Sequence, residues 1–248
     1  MNKIFFDASK LPELKNEYVC WLDVMGSRSI MSSSLKRSAN FICKLHIAIL
    51  DSKNDDLRIY PLLDGAYITS EKQKPLLDFL EAVFYRIAED FLAQEEHFHK
   101  FVIKAAIAYG PVLHGADISD QVSRELNNHK EHRNALLLGI PIIQAYQSER
   151  KAPPFGIFIH ESARSFAPTD DKPLPHVWWK WFMQDNIGKR LCEAMTNYYV
   201  WCQENSHTLL YEQDRLKEHA EMAKEYLAAE QEAVLSAPHN NSFNRSAN

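Results

Sequence analysis

The stretch "EYVCWLDVMGSRSIM", residues 17 to 31, decides how the chain is read. Tyr18 to Leu22 is an apolar run of strand length and predicts a buried strand over residues 17 to 25. Asp23 stands at its end, one carboxylate among apolar neighbours, and Gly26, Ser27 and Arg28 follow at once. Ile30, Leu35, Phe41, Ile42, Leu45, Ile49 and Leu50 then recur as one face of a helix from Ser27 to about Ser52. Gly26 thus falls where a strand turns into a helix. Asp23 alone is explained as a strand-end acid or a helix-cap acceptor.

Working outward, "DLRIYPLLDGAYITSE" (56 to 71) has two apolar runs flanking Asp64-Gly65, a strong short hairpin signal. Pro61 places the first of these strands at an edge. "KPLLDFLEAVFYRIAEDFLAQEE" is an amphipathic helix with Pro75 near its first turn. "KFVIKAAIAYGPVLHGAD" predicts a second hairpin: a strand over 101 to 108, a turn at Tyr109-Gly110-Pro111, and a short strand to Gly115. Gly139-Ile140-Pro141 opens another helix, and "PFGIFIHESARSF" holds a strand over 156 to 160. The order β-α-β-β-α-β-β-α-β predicts an α+β fold, a mostly antiparallel sheet with helices packed on it. After about residue 175 the character changes. "HVWWKWF", "LCEAMTNYYVWCQE" and "LLYEQDRLKEHAEMAKEYLAAEQEAV" read as helical. The organisation expected is a domain over 1–175, a C-terminal helical segment over 176–236 and a disordered tail over 237–248.

The bulk properties narrow the function. A net charge of −5 gives no basic face for nucleic acid. No run of about 18 apolar residues is present to span a membrane. The beginning of the sequence has no apolar signal core. The four cysteines, Cys20, Cys43, Cys192 and Cys202, form no C-x-x-C pair and read as reduced thiols of a cytoplasmic protein. His97 with His99, and His129 with His132, read as solvated pairs rather than metal ligands.

Two acids remain. Asp23 ends the first strand, and Asp64 sits at a hairpin 41 residues later. A strand end beside a hairpin is a meeting place for two carboxylates, and two hard oxygen donors with open positions left over suit Mg²⁺ or Mn²⁺ bound to a triphosphate. The helix start at Gly26-Ser27-Arg28 suits an anion, with Arg28 adding a charge-assisted contact.

The ordered set "WLDVMG", "YPLLDG", "IKAAIAYGPVLHG" and "LLLGIPIIQAYQSE" resembles the catalytic domain of class III nucleotide cyclases, a ferredoxin-like palm, from residue 17 to about residue 165. The resemblance implies that Asp23 and Asp64 each bind both of two Mn²⁺ or Mg²⁺ ions. It implies that the Val24 carbonyl binds one of them and that residues 25 to 28 cradle the phosphates. It further implies a homodimer, with each site built across the interface from Asp23 and Asp64 of one copy and the 136-to-147 helix of the other.

Some positions depart from the family pattern. Ile143 stands where the family has an asparagine, and Gln147 where it has an arginine that serves the transition state. Arg28, Arg133, Arg150 and Lys180 are alternative cations. Tyr60 replaces the base-reading Lys or Glu, and Leu136 occupies the second specificity position. A tyrosine at position 60 shrinks the base pocket and suits a pyrimidine. This combination looks like the pyrimidine cyclases of Pycsar anti-phage systems, which implies conversion of UTP to 3′,5′-cyclic UMP and pyrophosphate and a downstream cyclic-nucleotide-sensing effector. CTP is the alternative substrate. A catalytically dead cyclase-like module that binds nucleotide or a partner is the alternative to an enzyme.

Overall fold

The computed structural model describes residues 6–119, 121–183 and 186–228. The expected disordered tail lies outside the described residues. The fold is α+β, and β1 (Lys15–Val24) is its central strand. It is paired antiparallel on one side with β3 (Gly65–Ser70) and on the other with β4 (Ile103–His114). The edge hairpin adds β2 (Arg58–Leu62), and a two-residue strand β5 (Leu137–Leu138) pairs with the far end of β4. On β4's other side lie β6 (Ile157–Ile159), which is parallel to it, and then β7 (Trp178–Trp179). The order across the sheet is β2-β3-β1-β4-β6-β7.

The pleat of β1 divides the core. Tyr18, Cys20, Leu22 and Val24 face α2 (Leu35–Ser52) and α3 (Gln73–Ala93), in one cluster with Phe41, Leu45, Phe79 and Phe84. Val19 and Trp21 face the opposite way, toward Tyr67, Ala108, Val112 and Ala145 of α4 (Ile140–Glu149). Residues 18 to 22 are therefore buried on both faces, which explains why "YVCWL" is a continuous apolar run and not an alternating one. After β7, helices α5 (Ile187–Glu204) and α6 (Gln213–Ala228) bring Leu191, Met195, Tyr199, Leu216 and Tyr226 into the first cluster.

Four local expectations need correction. The helix expected over 27 to 52 is two helices, α1 (Ser27–Ser33) and α2. Ser34 leaves the helical conformation and its hydroxyl accepts from the Arg37 N–H, because a serine is worth more as a cap than inside a helix. The second hairpin does not form. β4 runs straight through Gly110-Pro111, opposite Glu17 and Asn16 of β1. Gly110 is there for helix packing, since a Cβ would lie 3.0 Å from the Pro141 ring, and Gly139 in turn leaves room for the Pro111 carbonyl. "HVWWKWF" contributes the strand β7 and not a helix, in keeping with the β-preference of its aromatics. Finally, the loop of the first hairpin is Leu63-Asp64, with Leu63 at φ 53, and Gly65 already belongs to β3.

Gly65 is a glycine for steric reasons. A Cβ there would sit 2.2 Å from the Leu22 carbonyl oxygen and 3.1 Å from the Trp21 ring. Gly26 is a glycine for conformational reasons: its φ is 72, and a Cβ there would meet nothing within 4 Å. Gly65→Ala is therefore expected to cost about 3 kcal/mol by overpacking. Gly26→Ala is expected to cost only about 1 kcal/mol of backbone strain. Denaturant midpoints of the two variants check the ranking, and a Gly65→Ala protein as stable as the parent would refute the packing account.

Candidate active site

The site is assembled where β1 ends. The β1–β3 register places Asp23 opposite Gly65, so the preceding Asp64 arrives beside it, and the two side chains come within hydrogen-bonding reach. The Ser27 hydroxyl, in the first turn of α1, donates to Asp64 Oδ2. Ser27 is itself buried and so fixes that carboxylate from behind. Asp23 Oδ1 is buried without a hydrogen-bond partner. Burial first, then the neighbouring charges of Asp64 and Glu149, push the Asp23 carboxyl up to about 8.

Asp23, Val24, Gly26, Ser27 and Arg28 line one cavity of about 340 Å³. Its other walls come from Lys104, from Glu149 and Arg150 at the end of α4, and from Leu210, Tyr211, Arg215 and His219. Lys104 is 3% exposed and faces Asp23 across the β1–β4 ladder, but its amine turns to Glu149 at 3.4 Å. Burial and the charges of Lys104 and Arg215 hold His219 down to about 4.

The donor set fits a hard divalent cation. A buried carboxylate oxygen without a partner, beside a second carboxylate, is costly unless a positive group joins it. Among the described residues no group of three or more His, Cys, Asp or Glu gathers as a metal centre. The pair leaves most coordination positions to water or phosphate oxygens, the preference of Mg²⁺ and Mn²⁺ over Zn²⁺.

Other residues singled out in the sequence lie elsewhere in the same copy. Tyr60, Leu136, Ile143 and Gln147 do not line this cavity. Ile143 and Gln147 are on the exposed side of α4, and Leu136 is half-buried, its carbonyl accepting from the Gly115 N–H. Tyr60 is half-buried on the α4 face of the sheet, its hydroxyl 2.7 Å from His114 Nδ1. His114 Nε2 is in turn 2.8 Å from the buried Glu17 carboxylate. Burial raises Glu17, but the hydrogen bond and charge of His114 outweigh it and leave the carboxyl below its ordinary value. Arg133 is held by the Ile118 carbonyl and the Asn127 side chain, away from the cavity. The expected anion site at a helix N-terminus also changes: α1 has only seven residues, too short for much of a dipole.

Sequence reasoning missed Lys104, Glu149, Arg215 and His219. Lys104 left a signal, a single lysine inside the apolar run "FVIKAAIAY". Glu149 ends α4 as an ordinary helix carboxylate with no local mark of its role, and Arg215 and His219 depend on where the chain returns after residue 204.

No protein-family model and no curated protein matches the sequence. Solved structures similar in trace include the monomeric guanylyl cyclase domain of the RhoGC fusion protein from the aquatic fungus Blastocladiella emersonii. It is 16% identical with a TM-score of 0.46, over 61% of this chain and 84% of that one. The guanylate cyclase domain of RhGC from Catenaria anguillulae in complex with GTP is 15% identical with a TM-score of 0.45, over 61% and 81%. A bacterial light-regulated adenylyl cyclase is 11% identical with a TM-score of 0.45, over 56% of this chain. The chain spans only 40% of that protein's length. Likeness at this level carries nothing about activity, base or assembly.

The Asp23 proton has a consequence for stability. The folded protein holds it up to about 8, whereas an unfolded chain releases it near 3.8. The stabilisation is complete below the lower value and is lost as pH rises through the higher one. Without divalent ions, the guanidinium midpoint should fall between pH 5 and pH 9, and Asp23→Asn should flatten that fall. Mn²⁺ at a hundredfold excess over its Kd should add about 2.7 kcal/mol, a rise in Tm of about 5–10 °C. That rise should vanish in Asp23→Asn; an equal rise in both proteins would exclude the acid pair as the metal ligands.

Proposed function

We propose that the chain is a nucleotide cyclase that converts UTP to 3′,5′-cyclic UMP and pyrophosphate. It acts in the cytoplasm as a homodimer and makes a second messenger for an effector in bacterial anti-phage defence. The observation that carries the cyclase reading is the Asp23–Asp64 pair, one Asp23 oxygen unpartnered, with Asp23 itself lining a cavity that also holds several cationic side chains. The subtype and the biological role rest on the sequence resemblance.

Asp23 and Asp64, with the Val24 carbonyl, hold Mn²⁺ or Mg²⁺. When bound, the ions polarise the ribose 3′-hydroxyl and neutralise the polyphosphate. Ser27 keeps Asp64 aimed at the shared site. Arg28 and its cationic neighbours bind the phosphate oxygens. The 3′-hydroxyl loses its proton to water, its oxygen bonds to the α-phosphorus, and the bond from that phosphorus to the β-bridging oxygen breaks. Pyrophosphate leaves with that oxygen. The homodimer is supported by an exposed apolar strip at α4: Leu138, Ile140, Ile143 and Tyr146 are 49%, 61%, 54% and 58% exposed. Gln147 lies on the same exposed side, where a second copy can reach it.

Incubation with ATP, GTP, CTP or UTP and Mn²⁺, followed by product identification, tests the reaction. A cyclic pyrimidine nucleotide is expected, and Asp64→Asn should lower its rate by about two to three orders of magnitude. Absence of any cyclised product refutes the enzyme reading.

The Tyr60–His114–Glu17 chain bears on the base. Where His114 Nδ1–H donates to the Tyr60 oxygen and Glu17 holds the other ring nitrogen, the tyrosine O–H is free to donate. Uracil O4 accepts such a bond, whereas the cytosine amino group does not. Glu17→Gln and Tyr60→Phe should therefore each lower the UTP:CTP ratio of kcat/KM by about tenfold. A ratio unmoved in both variants would leave Tyr60 as a space-filler only.

A further inference from the structure

The C-terminal segment approaches the same cavity as the acid pair, and nothing in the cyclase reading requires it there. The short helix Ser206–Leu209 and a left-handed Leu210, φ 52, reverse the chain after α5 and deliver Tyr211 and Arg215 to the cavity wall. The return is anchored. Tyr211 N–H donates to the Ser206 carbonyl at 3.0 Å, Tyr211 Oη lies 2.6 Å from His219 Nδ1, and Gln213 donates to Ser206 Oγ at 3.0 Å. Further along α6, Tyr226 is fully buried and donates to the Trp179 carbonyl at 2.6 Å.

Of the four arginines that line this cavity, Arg37 lies with its guanidinium 3.8 Å from the Phe98 ring centre, and the other three face the cavity from separate elements: Arg28 in the first turn of α1, Arg150 at the end of α4, and Arg215 on α6. Among the described residues none of their guanidinium groups makes a hydrogen bond or an ion pair. Of the two glutamates that line the cavity with them, Glu149 is taken by Lys104, and Glu212 is solvent-exposed. All three are solvent-exposed and open to a ligand, and an anion with several oxygens can engage them together through charge-assisted hydrogen bonds. A volume of about 340 Å³ is within the range of small-molecule sites.

We propose that Arg28, Arg150 and Arg215 form a clamp for a polyphosphate chain, so that the C-terminal segment is one wall of the substrate site. Within a single copy, Arg215 supplies the cation that Gln147 lacks. The identity of the nucleotide rests on the cyclase reading; the clamp for polyphosphate does not.

The probe is inorganic tripolyphosphate in EDTA, titrated calorimetrically into the full-length protein. The parent should bind one equivalent per chain. Arg215→Ala and Arg150→Ala should each weaken Kd by about tenfold, with partial recovery in Arg215→Lys. Lys217→Ala removes an equal charge from the exposed side of α6, outside the cavity, and should leave Kd unchanged. Arg215 is solvent-exposed, so its variants should keep the parent's circular dichroism and Tm. Failure of the parent to bind tripolyphosphate would overturn the clamp, as would equal losses in Arg215→Ala and Lys217→Ala. Arg215-dependent binding without cyclisation of any nucleotide would uphold the clamp and sink the cyclase reading alone.

Discussion

The closeness of β3 to β1 at Gly65 is the constraint on which the site depends. Because position 65 has no Cβ, the Leu22 carbonyl and the Trp21 ring occupy the space, and the hairpin loop is drawn to the end of β1. Two carboxylates then share a poorly solvated place. Burial and the neighbouring charges of Asp64 and Glu149 hold the Asp23 proton far above the ordinary carboxyl range. The arrangement cannot relax by slipping. A one-residue shift of β1 would exchange Tyr18, Cys20 and Leu22 with Val19 and Trp21 between two different apolar layers. The core on both faces of β1 thus fixes a local arrangement that is unfavourable without a counter-ion.

The two faces of the sheet have different tasks. The face toward α2 and α3 is the larger core, and α5 and α6 extend it, so the C-terminal helices are bound in by the same burial that stabilises the sheet. The face toward α4 is thinly covered. It carries the buried Glu17–His114–Tyr60 chain and, on the outer side of α4, an apolar strip open to solvent. Cationic side chains gather where the C-terminal return meets the end of β1, while the Glu17–His114–Tyr60 chain sits further along the sheet toward β2. The two groups can therefore be altered separately.

The parts of the fold legible in the sequence were those set by burial. "YVCWL" announced a central strand, the "DG" hairpin an edge pair, and the α3 periodicity a packed helix. The failures came from residues whose local preference was overruled or misassigned. Gly110-Pro111 reads as a turn, but β1 begins at Lys15 and offers a continuous ladder, and the glycine serves a contact with Pro141 on a helix 30 residues away. The serine run before Leu35 was absorbed into a helix, although Ser34 gains more as a cap. In the site, Asp23, Asp64, Ser27 and Arg28 were visible because short motifs carry them. Arg215 and His219 were not, since their place depends on a left-handed residue at 210 and on distant packing.

Charge distribution joins these points. The chain as a whole is acidic, with net charge −5, which argues against a nucleic-acid polymer that must lie along an extended surface. A nucleotide makes a different demand. Its charge is concentrated within a few ångströms, and it samples only the recess it enters. Surface carboxylates more than about 8 Å away are screened at physiological salt. In the proposed clamp, Arg28, Arg150 and Arg215 act at close range from the walls of one recess. An acidic protein can therefore hold a highly anionic small molecule without attracting polyanions in general. The same separation explains why the bulk composition showed no sign of the site: the cations that matter are few, and the fold, not the count, makes them converge.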